Sequence, residues 1–71
     1  MIKIANKDLI EFRKGKKLSS AEMARKIGIS NSYYQKIEYG DRSPSFNFLK
    51  KFKSVFPDVN TDTIFFNFNH T

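Results

Sequence analysis

The sequence predicts an all-α fold, and three observations carry that expectation. Apolar residues recur at intervals of three and four, side chains suited to N-caps stand ahead of those patterns, and Gly15, Gly28 and Gly40 fall where the patterns stop. The 71 residues contain no cysteine, and their one histidine is His70. Disulfides, thiolate metal sites and cysteine nucleophiles are excluded together, as is a histidine-based metal cage or triad. A chain this short must hold by hydrophobic packing, alone or with a partner subunit. Its hydrophobic fraction of 39 %, with eight Phe and three Tyr, supplies apolar bulk for one core. We read residues 1–71 as a single domain.

Each element has a local cause. Leu9 and Phe12, three apart ahead of Gly15, predict a first helix over about residues 6–14 with Asn6 as its N-cap. Lys14, Gly15, Lys16 and Lys17 form a basic loop. Ser19 and Glu22 have the spacing of a capping box. The helix they open puts Met23, Ala24 and Ile27 on one face and stops at Gly28, the residue best suited to a left-handed cap. Ser30 caps a third helix over Asn31 to Tyr39, with Tyr34 and Ile37 facing inward and Gly40 as its stop. Ser45 caps a fourth, in which Phe46, Leu49, Phe52 and Phe56 are spaced for a core face before Pro57. Asn60 or Thr61 caps a short fifth helix through Phe65 or Phe66. The alternation at Phe66, Phe68 and His70 is the one weak strand signal.

Charge narrows the class of partner. Lys and Arg outnumber Asp and Glu by 13 to 7, a net +6. Residues 1–53 hold every basic side chain, whereas residues 54–71 hold only Asp58 and Asp62 as charged groups. A basic body favours a polyanion, nucleic acid before a membrane. No apolar run reaches the length of a membrane span and no signal-peptide pattern opens the chain, so a cytoplasmic protein is expected. Nothing indicates a cofactor, a metal or a small-molecule ligand.

The most informative stretch is residues 18–40: a capped short helix, a glycine turn and a second helix with a polar outer face. Such a turn holds two helices steeply, so that the second projects and can enter a major groove. Leu18 through Ser30, with Ala24 and Gly28 in register, resembles the first helix and turn of the phage Cro/repressor-type (XRE-like) helix-turn-helix family. Ser32 through Ser45, with its Ile37-Glu38-Tyr39-Gly40 ending, is similar to that family's recognition helix and following loop. The likeness runs from about Leu9 to Phe66. It implies a five-helix, lambda-repressor-like DNA-binding domain with the motif at helices two and three. It also implies a transcriptional regulator, commonly dimeric on a near-palindromic operator.

The resemblance assigns roles residue by residue. Asn31, Ser32 and Lys36, with Gln35 at the edge, match base-contacting positions, and their chemistry suits adenine, either role, and guanine respectively. Ser20, Arg25, Tyr39, Arg42, Ser43 and Ser45 match positions that touch the DNA backbone; Ser20 is shorter than the glutamine common there. Arg13 and Glu38 match a partly buried ion pair of several relatives. Tyr34 stands where the family is usually aliphatic, so its ring needs room and its hydroxyl a partner. Tyr33 either reaches DNA or packs, and packing is the expected role.

Seven of the eight Phe lie between residues 46 and 68. Phe46, Phe52 and Phe56 are expected in the core. Ile64, Phe65, Phe66 and Phe68 exceed what one short helix needs, so they either form a homodimer interface or pack on helix four. The function expected is that of a sequence-specific double-stranded DNA-binding regulator, a repressor acting by promoter occlusion. The competing class is an antitoxin or antirepressor that uses the same fold to mask a protein partner. An enzyme is not expected, because Glu38 and Asp41 lack a nucleophile or metal partner.

Overall fold

A computed structural model describes residues 5–65, which form five helices in a body of 33 × 26 × 24 Å. They are α1 (Lys7–Gly15), α2 (Ser20–Ile27), α3 (Asn31–Tyr39), α4 (Phe46–Val55) and α5 (Thr61–Phe65). No strand occurs among the described residues, so the fold is all-α as expected. Phe66, Phe68 and His70 lie outside them.

The caps act where the sequence places them. Asn6 Oδ1 accepts the Leu9 N–H at 3.0 Å, and the Ser30 and Ser45 hydroxyls accept the Tyr33 and Phe48 N–H groups, each at 3.1 Å. Ser19 and Glu22 complete a reciprocal capping box, at 3.1 and 2.8 Å. Those bonds hold the Glu22 carboxyl below its ordinary range. Asn60, rather than Thr61, caps α5 by accepting from Asp62 and Thr63. Gly28 ends α2 at φ 94°, which only a residue without a Cβ adopts cheaply. Lys17, in the turn before α2, also takes a positive φ, of 60°.

Leu9, Met23, Ala24, Ile27, Tyr34, Ile37, Phe48, Phe52, Phe56 and Ile64 form the core. Burying one such large apolar side chain contributes roughly 1.5–3 kcal/mol. Phe46 is a correction: it is 77 % exposed, whereas Phe48 is 1 % exposed. The stripe that faces inward along α4 is Phe48, Leu49, Phe52 and Phe56, and Phe46 sits off it at the first helical position. Phe12 from α1 packs on Phe52 and Phe56, with ring centroids 5.6 and 5.0 Å apart. Phe65 packs edge-on against Phe48 and Phe52, at 5.5 and 5.2 Å. This cluster ties α1 and α5 to α4.

Ile64 and Phe65 thus take the packing role within the chain. Ile64 keeps only 8 % of its surface, and Phe65 is half-buried against the core. Phe66 and Phe68, expected beside them in a homodimer interface, are outside the described residues.

Candidate nucleic-acid interface

The inner face of α3 carries Tyr34, Ile37 and Glu38, all buried against α1 and α2. Ser32 and Lys36 lie nearly opposite, and Asn31 lies on the flank between the two faces; all three are exposed on the first two turns. None of these three side chains makes a hydrogen bond within the described residues. They are polar, unsatisfied by the protein and carried on a helix anchored from behind. Gln35 separates from them: it is half-buried and its Nε2 donates to Ser20 Oγ at 3.2 Å, across the α2–α3 boundary.

The anchor behind α3 is ionic. Arg13 Nε donates to Glu38 Oε2 at 2.7 Å and Nη2 to Oε1 at 3.4 Å, while Nη1 donates to the Leu18 carbonyl at 3.0 Å. The pair expected from the resemblance is therefore formed, and one guanidinium ties α1, the entry to α2 and the last turn of α3. The Tyr34 hydroxyl donates to the same Oε2 at 2.6 Å, which gives that ring the partner it needed. Burial, then the bond to Glu38, pushes the Tyr34 phenol well above its ordinary range. The hydrogen bond that Arg13 donates to Glu38 also raises the guanidinium, against the opposing cost of burial. The N–H of Asn6 reaches the Glu38 backbone carbonyl at 2.7 Å, so the cap of α1 and the end of α3 meet there.

Loop geometry presents a second set of groups. Gly40 takes φ 84°, and the N–H groups of Asp41 and Arg42 fold back onto the Lys36 carbonyl at 2.8 and 3.2 Å. That closure holds Arg42 and Ser43 exposed just beyond α3. Tyr39 is 54 % exposed and Arg25 is exposed on α2. Ser45 is occupied differently: its Oγ accepts from both Phe48 N–H and the Tyr33 hydroxyl, the latter at 3.2 Å. Tyr33 packs as expected, edge-on to Phe48 at 6.3 Å, and latches α3 to the start of α4.

The lysines outside α3 are also partly engaged. Lys16 Nζ lies 5.4 Å from the Phe12 ring centroid and 5.8 Å from that of Phe56. Lys51 Nζ donates to the Gly28 carbonyl at 3.4 Å, where a cation favours the end of α2, and Lys53 Nζ donates to Val59 at 2.7 Å. A cavity of about 370 Å³ between α1 and the α4–α5 turn, lined by Phe12, Lys16, Val55, Phe56, Pro57, Asp58 and Val59, contains none of the candidate DNA-contacting residues. No cluster of metal-binding side chains occurs among the described residues, and none of their helices is long and apolar enough to cross a membrane.

Two capped helices are joined by a glycine turn, the second backed by a partly buried ion pair and carrying exposed polar groups. A helix-turn-helix family model matches residues 9–64, covering all but the first residues of α1 and the last of α5. The chain belongs to the XRE-type helix-turn-helix family. It is a DNA-binding transcription regulator of that type, with double-stranded DNA as its partner, in a family that is not typically enzymatic. No curated protein and no solved structure matches the chain. Within this helix-turn-helix, α2 is the supporting helix and α3 the recognition helix. Three links were missed from the sequence: Gln35 to Ser20, Tyr33 to Ser45, and the choice of Phe48 over Phe46. Only the last had a signal, the four-residue spacing of Phe48, Phe52 and Phe56.

Proposed function

We propose that this regulator is a repressor that occludes a promoter, binding as a homodimer to a near-palindromic operator. The observation that carries the reading is the exposed trio on α3, Asn31, Ser32 and Lys36, free of hydrogen bonds within the described residues. In the groove, Asn31 would pair with adenine, Lys36 would donate to guanine O6 and N7, and Ser32 would take either role. Arg25, Tyr39, Arg42 and Ser43, exposed around the trio, would hold the backbone, with Ser20 and Ser45 contributing from helix starts. A two-fold dimer would set two recognition helices about 34 Å apart, one turn of DNA.

Selection from a randomised duplex pool, repeated at two salt concentrations, tests the proposal. A symmetric enriched motif whose affinity falls steeply with salt is the expected result. An asymmetric motif would remove the dimer, and no enrichment would favour a protein partner instead. Sedimentation without DNA tests self-association separately. Transcription from a promoter carrying the motif, which should fall on adding the protein, tests repression.

A further inference from the structure

We infer that Gln35 is a positioning residue for the DNA contact, not a reader of bases: its carboxamide orients the Ser20 hydroxyl to donate to a backbone phosphate. The inference rests on the DNA-binding reading above and deepens it. Gln35 Nε2 donates to Ser20 Oγ at 3.2 Å, and both residues are half-buried at the boundary between α2 and α3. A hydroxyl has one hydrogen and two lone pairs. With a lone pair committed to Gln35, the Ser20 hydrogen turns away from the carboxamide and is free for a group that only accepts, as a phosphate oxygen does. Donation into the hydroxyl also polarises it toward donating onward.

The surroundings of Ser20 point the same way. The capping box uses the N–H groups of Ser19 and Glu22, and the Met23 N–H bonds to the Ser19 carbonyl. The N–H groups of Ser20 and Ala21 have no partner among the described residues. Together with the Ser20 hydroxyl they make a compact donor set where the helix dipole is positive. Along α3, Asn31 and Gln35 are one turn apart on the flank nearest α2, while Ser32, Lys36 and Tyr39 follow the outer line. Serine reaches out by a single carbon, so its aim depends on what holds it. Gln35, whose side chain spans the gap between the helices, holds it.

The test uses Gln35→Met, which keeps length and helix preference but removes the donor, together with Ser20→Ala and the double variant. Binding is measured by fluorescence anisotropy on one duplex selected from a randomised pool and on one unrelated duplex, at several salt concentrations. Each single variant should weaken both duplexes by about fivefold, the size of one net hydrogen bond. The double variant should bind as Ser20→Ala does, because the hydroxyl and its holder act as one unit. The salt slope should not change, since no cation is lost. Gln35→Glu should bind worse than Gln35→Met, because a carboxylate takes the Ser20 hydrogen for itself. A changed base preference in Gln35→Met would make Gln35 a reader, and additive losses in the double variant would leave its bond to Ser20 without a part in binding; either overturns the proposal. Wild-type protein that bound neither duplex would overturn this proposal and the DNA-binding reading beneath it.

Discussion

Glu38→Ala should destabilise the domain more than any surface substitution on α3. The carboxylate accepts from Arg13 Nε at 2.7 Å, from Nη2 at 3.4 Å and from the Tyr34 hydroxyl at 2.6 Å. Removing it strands a guanidinium and a buried phenol, while the backbone bond from Asn6 survives. Breaking a buried ion pair costs roughly 3–5 kcal/mol. Arg13 keeps 15 % of its side-chain surface, and Nη1 keeps its bond to Leu18, so water and that carbonyl recover part of the loss. The lower end, about 3 kcal/mol, is expected. A domain of this length has a total stability of about 4–10 kcal/mol, so much of it is at stake. At roughly 4–8 °C per kcal/mol, the melting temperature should fall by about 12–24 °C. Thermal unfolding followed by circular dichroism, with urea denaturation as a second measure, reads the change. Arg13→Ala should cost at least as much, because it strands Glu38, whose side chain is only 3 % exposed. A shift under about 4 °C for Glu38→Ala, roughly what 1 kcal/mol produces, would refute the claim that this pair anchors the recognition helix.

Other outcomes follow from the same geometry. Tyr34→Phe should cost about 1.5–3 kcal/mol at neutral pH, the worth of a hydrogen bond to a charged group. Because the phenol is raised in the folded state, its contribution is complete below its ordinary value of 10.0 and is lost as pH climbs toward the folded value. Wild type and Tyr34→Phe should therefore converge in alkaline denaturation curves, and parallel curves would sink the argument. Gly28→Ala meets no atom within 4 Å but must hold φ 94°, so a loss of about 1 kcal/mol from backbone strain alone is expected. Lys17→Gly, at φ 60°, should be neutral or stabilising by up to about 1 kcal/mol in the same urea titration. In binding assays, Lys36→Ala should relax base preference at one position, whereas Arg42→Ala should weaken all duplexes alike and lower the salt slope by about 1.

The legible parts of this protein were those with local causes. A serine three residues ahead of a glutamate and a glycine after the last apolar residue act within one turn, so α2 could be read with both its caps. The Arg13–Glu38 pair was legible only through resemblance, since twenty-five residues separate its members. Phe46 shows where spacing misleads. It lies three residues before Leu49, but Phe48 shares the inward stripe with Phe52, and the rings of Phe12 and Phe65 complete the cluster around Phe52. The tail was likewise two-valued in sequence, because an apolar residue serves a core and an interface equally well.

By itself, the sequence determined the helices, their ends, the absence of disulfide and thiolate chemistry, and the concentration of positive charge in residues 1–53. These follow from composition and from contacts spanning four residues or fewer. Tertiary structure decided which polar groups of α3 are available. Asn31, Ser32 and Lys36 stay open, Gln35 is committed to Ser20, and Tyr33 and Tyr34 are drawn to Ser45 and Glu38. It also placed Ile64 in the chain's own core, with Phe65 packed against it. Each of these outcomes depends on which helix lies alongside, and that neighbour is chosen by packing across the whole chain.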